Sequence, residues 1–149
     1  MEFKNAILQA ADQTFSMLGM SLTYKLSTYQ SSLTSASQVN AIIGFTEGVK
    51  GNMMLEMSKE TALKIASIMM GGFDLEALDE LSVSAIAELC NMIVGNAFTL
   101  CDNNQLINFS PPSVFIGDQV SLMMSRIKTE KLHFEVEGMP IYLLISMEN

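Results

Sequence analysis

Phe3, Ile7, Ala11, Thr14 and Leu18 recur at spacings of three and four, which predicts an amphipathic helix over about residues 3–18. Gly19 follows and can close that helix in the left-handed conformation. The period then shortens. Leu22 to Tyr29 reads as a strand, Ser31 to Ser37 as a small-polar loop, and Val39–Thr46 with Lys50–Met57 as a hairpin turning at Glu47-Gly48. The run Asn52-Met53-Met54-Leu55 is apolar on both faces, as expected of a covered central strand. Ser58 caps a second helix, with Glu60 near its positive end; Ala62, Ile65, Ala66 and Met69 form the inward stripe and Gly71-Gly72 stops it. An acidic loop from Asp74 leads into a long third helix from about Glu80 to Leu100, ended by polar Asp102-Asn-Asn-Gln105. The rest is β: Leu106–Phe109, a corner at Pro111-Pro112, Gln119–Arg126, Lys131–Val136 and Ile141–Ser146, with Gly138 and Pro140 marking the last turn.

This order predicts an α+β fold, a mainly antiparallel sheet with helices packed on one face. One helix followed by strands occurs twice, joined by a linking helix, so the chain carries a pseudo-repeat in element order. Its 149 residues suit one domain, spanning 1–149.

Composition narrows the function. Sixteen acidic residues against 8 basic ones give a net charge of −8, which argues against nucleic-acid binding and against anionic membrane surfaces. Residues 1–5, Met-Glu-Phe-Lys-Asn, lack the basic start and apolar block of a signal peptide, and no apolar run approaches the ~18 residues of a membrane span. The expectation is a cytoplasmic protein without membrane insertion. Cys90 and Cys101 on one helix lie ~16 Å apart along its axis, too far for a disulfide. His133 is the single histidine, so a zinc site of the usual His/Cys kind lacks ligands. It falls on the polar face of its strand with Glu135 and Glu137 and reads as a solvated residue. The 13 methionines read as core filler.

The third helix holds the candidate chemistry. With Ser84 at zero and an advance of ~100° per residue, Glu88 falls at about 40°, Asn91 at about −20° and Gly95 at about 20°. Ile86, Leu89, Ile93, Ala97 and Leu100 lie opposite, at about 140–220°. Ala85, Ala87, Met92 and Val94 form the shoulders of the stripe. An ordinary solvent face is broad and carries paired charges. Here Glu88 is the sole charge between Glu80 and Asp102, so the stripe reads as a docking face.

Ser84, Glu88 and Asn91, spaced as Ser-x3-Glu-x2-Asn, match the first part of a known signature, and Pro112 is the candidate for its distal proline at a slightly short spacing. Ala85-Ile86, Asn91–Ala97, Ile43–Gly51 and Ala62–Ala66 extend the likeness over nearly the whole chain. The sequence resembles the CheX/CheC/FliY family of response-regulator phosphatases, and its CheX-type members most closely. That resemblance implies hydrolysis of the aspartyl phosphate on a phosphorylated CheY-like receiver domain. In it Asn91 would orient the attacking water and Glu88 would pair with the receiver's lysine, as the catalytic residues. Ser84, Met92 and Gly95 would contact the partner. No metal would bind to this chain; Mg²⁺ would be supplied by the receiver. CheX-type members use a single site and form homodimers, and the apolar run from Val39 to Met57 suits association. On the first helix Asn5, Gln9 and Asp12 repeat the spacing with amide and carboxylate exchanged, so no second active site is expected. The rival expectation is a non-catalytic module that binds a receiver or joins a flagellar switch.

Overall fold

The computed structural model describes residues 2–48, 50–101, 108–118, 121–125 and 127–147, with the backbone alone for 122–125. Helix α1 spans Phe3–Met17 and turns Phe3, Ala6, Ile7, Ala10, Ala11, Thr14 and Phe15 inward, the stripe that the spacing predicts. Gly19 ends it at φ 82°, where a side chain would be strained. Ser58 accepts the backbone N–H of Thr61 and starts α2, Lys59–Met69, while Asp79 caps α3, Glu80–Leu100.

Among the described residues, seven strands form one antiparallel sheet: β1 (Leu22–Gln30), β3 (Val39–Glu47), β4 (Gly51–Met57), β5 (Asn108–Phe109), β6 (Ser113–Ile116), β8 (Thr129–Val136) and β9 (Met139–Met147). Their order is β1-β8-β9-β4-β3-β5, with β6 also pairing with β3. A small second sheet joins β2 (Leu33–Ser35) to β7 (Leu122–Ser125). The α+β expectation holds. All three helices contribute to one core cluster with Val39, Ala41, Ile43, Met53, Leu55 and Met57 from one face of the sheet.

Strand β4 lies between β9 and β3, as its two apolar faces predict. Met53, Leu55 and Met57 meet the helices, whereas Met54 packs on the other side with Leu33, Ile42 and Leu144. Methionine there is core filler. The same placement corrects one inference: the apolar Val39–Met57 run is the interior of the sheet, not an edge on which a second copy could pair.

Other expectations need correction. Ser31–Ser37 is not merely a loop, because Leu33 buries completely and the Ser35 hydroxyl donates to the buried Asn40 side chain. Those contacts give small polar residues a fixed strand. Strand β6 follows the Pro111-Pro112 corner directly and pairs Ser113 with Ile42, a short strand not anticipated. The last turn is Glu137-Gly138, both at positive φ, and Pro140 sits within β9 opposite Glu135. His133 is half-buried rather than solvated: its Nε2 lies 3.1 Å from Thr28 Oγ1, and its ring stands edge-on to Tyr142 at 5.0 Å. Asp102–Ile107, Gln119, Val120 and Arg126 of the anticipated elements lie outside the described residues.

α3 also corrects the statement about membrane spans. Its 21 residues, with mean hydropathy 1.4 in the most apolar window, are long and apolar enough to cross a membrane by length and composition. The apolarity has another use here: Ser82, Ile86, Leu89, Cys90, Ile93, Val94 and Ala97 are buried against the sheet and the other helices. Summed hydropathy cannot separate such a core helix from a span, since Ser, Gly and Ala scarcely lower it.

Candidate functional site

The solvent side of α3 carries the stripe that the spacing predicts. Ser84, Glu88 and Gly95 are exposed, and Asn91 and Met92 are half-buried. Neither Glu88 nor Asn91 makes a side-chain hydrogen bond or ion pair with another described residue. Glu88 and Asn91 stand three residues apart, a rise of ~4.5 Å, so their polar groups can act on one small ligand group. Five residues predicted to share a face are therefore brought together: Ser84, Glu88, Asn91, Met92 and Gly95.

The two shoulders of the stripe differ. Val94, at about −80° on the wheel, is completely buried, and Ala87, at about −60°, is half-buried, so that edge is the more closed of the two. Val94 is no shoulder of an open face. On the other edge Leu81 is exposed and Ala85 and Met92 are half-buried, at about 60–100°. That edge is open. The pattern of the sequence is nearly symmetric about the stripe; only tertiary packing decides which side closes.

Both ends of α3 are fixed. At its start the Ser82 backbone N–H and hydroxyl donate to Asp79 Oδ1 at 2.8 and 2.7 Å. These bonds hold the Asp79 carboxyl below the usual carboxylate range. Near its end Asn96 Nδ2 donates to Thr14 Oγ1 at 2.8 Å, tying α3 to α1. The Phe98 ring packs on Phe3 at 5.8 Å and on Phe109 at 5.2 Å. Phe109 leads to Pro111-Pro112, and the Ser110 hydroxyl accepts the Gly44 N–H at 3.0 Å, so the segment bearing Pro112 is bound to β3 as well as to α3. Asn96 lies off the stripe, and the spacing marks Thr14 only as part of the inward face of α1, so neither the contact nor its partner is legible from the pattern.

Nucleophilic alternatives on this helix are poor. Cys90 is fully buried, and burial pushes its thiol up to about 12, which removes the thiolate at neutral pH. Among the described residues no group of three or more His, Cys, Asp or Glu side chains is placed to hold a metal ion. The equivalent positions on α1, Asn5, Gln9 and Asp12, are all exposed.

Exposed Glu88 and half-buried Asn91 thus lie on one face of a helix that packs on an antiparallel sheet, and neither side chain has a partner among the described residues. The sequence profile of the family described as chemotaxis phosphatase CheX matches residues 39–135, more than half of the chain. The chain belongs to the CheX family. It is 42% identical over 82 residues to the CheY-P phosphatase CheX of Thermotoga maritima, a match covering 54% of this chain and 53% of that protein. It thus spans about half the length of that relative. Its fold is that of a CheX crystal structure from Desulfovibrio desulfuricans, with TM-score 0.85, 19% identity, and 99% and 100% of the two chains covered. The CheX–CheY–BeF3–Mg²⁺ complex from Borrelia burgdorferi is similar as well, with TM-score 0.76, 19% identity, and 99% of each chain covered.

Proposed function

We propose that this protein is a phosphatase that hydrolyses the aspartyl phosphate of a CheY-like response-regulator receiver domain. The observation that carries the reading is the free Glu88–Asn91 pair on the exposed side of α3, within the residues that match the CheX family. The Thermotoga maritima relative is a CheY-P phosphatase, and the Borrelia burgdorferi structure joins a CheX to CheY, BeF3 and Mg²⁺.

The chemistry follows from what these groups can do. An acyl phosphate needs an in-line water and neutralised charge, and little covalent help. The Asn91 amide donates through its NH₂ and accepts through its oxygen, so it can hold one water against the phosphorus. Glu88, ionised, accepts only, and it pairs with the receiver's lysine to set the register of the docked helix. Ser84, Met92 and Gly95 contact the receiver around them. Mg²⁺ belongs to the receiver's acidic pocket; this helix offers a single carboxylate on its exposed stripe, too few ligands to hold that ion.

Phosphate release from a labelled receiver tests the reading. Asn91→Ala should lose ~10²–10³ in rate while docking persists, the usual cost of one positioned hydrogen-bonding group. Glu88→Ala should weaken docking and turnover together, and Glu88→Lys more so through repulsion. A folded Asn91→Ala that hydrolyses at the wild-type rate would replace this reading with the non-catalytic receiver-binding module. We further expect a homodimer. Tyr24, Leu26 and Tyr29 are exposed on β1, an edge strand, and supply the apolar surface that the buried hairpin does not. Light scattering that gives only the 16.3 kDa monomer would refute this.

A further inference from the structure

We propose that Leu81 is the apolar anchor by which the receiver docks, and so a specificity-determining residue of this site; the inference rests on the phosphatase reading above. A single exposed leucine ordinarily needs no explanation. Leu81 differs through its place. It is 64% exposed on the first turn of α3 and lies at about 60° on the wheel, beside Glu88 at about 40° and Met92 at about 80°. With half-buried Ala85 and Met92 it forms one edge of the stripe; on the opposite edge Ala87 is half-buried and Val94 is fully buried. A partner centred on Glu88 and Asn91 therefore finds more exposed apolar surface toward Leu81 than toward Val94.

Size brings that contact within reach. Leu81 lies ~10.5 Å along the axis from Glu88 and ~15 Å from Asn91. A standard interface covers ~800 Å² per partner, a disc of roughly 16 Å radius. A receiver centred over the Glu88–Asn91 pair thus reaches Leu81 toward the margin of that disc, and covering a largely exposed leucine there removes apolar area from water. Charge defines the chemistry of the surface that meets it. No lysine or arginine occurs between Lys64 and Arg126, while Asp74, Glu76, Asp79, Glu80 and Glu88 do. The matching receiver surface is an apolar socket edged by basic groups.

The test uses Leu81→Ala, Leu81→Gln and Leu81→Met in the full chain, with CheY-type receivers of the same genome as partners. Glutamine is a good helix former of similar length, so α3 should persist. Phosphate release is measured against receiver concentration. Leu81→Ala and Leu81→Gln should raise KM roughly 5–30-fold with kcat within about twofold, and Leu81→Met should restore KM to within about threefold. An unchanged KM in Leu81→Gln, beside an inactive Asn91→Ala, overturns the anchor and leaves the phosphatase reading intact. If the wild type releases no phosphate, binding to the receiver loaded with beryllofluoride and Mg²⁺ separates the two. A weaker Kd for Leu81→Gln supports the anchor without catalysis, and an equal Kd overturns it. A wild-type chain that binds none of those receivers overturns both. A changed oligomeric mass at constant KM in Leu81→Gln assigns this edge to a second copy and also overturns the anchor.

Discussion

Asn96→Ala should destabilise the protein without altering its active surface. The Asn96 amide donates to the hydroxyl of Thr14, which has no accessible surface and no other side-chain partner among the described residues. Truncation leaves that hydroxyl buried and unpartnered, a loss of ~1–3 kcal/mol. For a chain of this size that is a fall of roughly 3–10 °C in Tm. Thr14→Val removes the buried polar atom instead. Asn96 is half-buried and its amide can turn to water, so this variant should lose less than ~1 kcal/mol. The double variant should then resemble Thr14→Val, with a coupling of ~1–3 kcal/mol between the two sites. Thermal melts and urea titrations give the four stabilities, and phosphate release well below each melt gives activity. Asn96 lies at about 120° on the wheel, off the stripe, so the rate there should stay within about twofold. An Asn96→Ala melt at the wild-type temperature, or a double variant equal to the sum of the singles, would refute the argument.

Two other perturbations have clear signs. Glu56 is 2% exposed and its Oε1 accepts from Lys131 Nζ at 2.9 Å and from Ser37 Oγ at 3.1 Å. Lys131→Met strands that carboxylate and should lose ~3–5 kcal/mol, whereas Lys131→Met with Glu56→Leu should recover most of it; equal urea midpoints for the single and double variants would contradict this. Burial, then the nearby Lys131 charge, hold the His133 imidazole below its ordinary value of 6.5, against a smaller opposite effect of Glu56. The unfolded chain therefore binds that proton first, so the contribution of His133 is complete above pH 6.5 and is lost as pH falls through the lower folded value. His133→Gln should flatten stability against pH in that window, and an unaltered slope would remove His133 as its source.

Local pattern made the stripe readable. Ser84, Glu88, Asn91 and Gly95 interrupt an otherwise apolar helix, and a single charge after Glu80 in a helix of 21 residues is conspicuous on any helical wheel. The central position of β4 was equally plain, because both of its faces are apolar. What escaped depends on contacts between distant segments. Asn96 meets Thr14 across 82 positions, and Leu33 buries only because β3, β4 and β9 offer Ile42, Met54 and Leu144. Strand β6 is four residues long and follows two prolines, so its own propensity carries little signal. Closure of the stripe at Val94 is of the same kind: the residue is an ordinary shoulder until the core packs on it.

In the phosphatase proposed above, the division of labour along α3 would explain why so few groups suffice on its outer face. There a positioned water is useful only if the amide holding it is fixed to a fraction of an ångström. The helix meets that demand at its ends and along its inner face. Asp79 secures the first turn, Asn96 ties the last turns to α1, and Phe98 lies between Phe3 and Phe109. Seven buried residues between them keep the axis from rolling against the sheet. Glu88 and Asn91 sit in the span between those anchors with their side chains uncommitted. A rigid backbone with free polar groups is the arrangement that lets a partner's charge, rather than a contact within the chain, decide their orientation. The near absence of charge on α3 has the same origin. On the proposed reading, an added Lys or Glu on the narrow open arc would offer Glu88 or the receiver's lysine a competing partner, and on the buried arc it would be stranded without one.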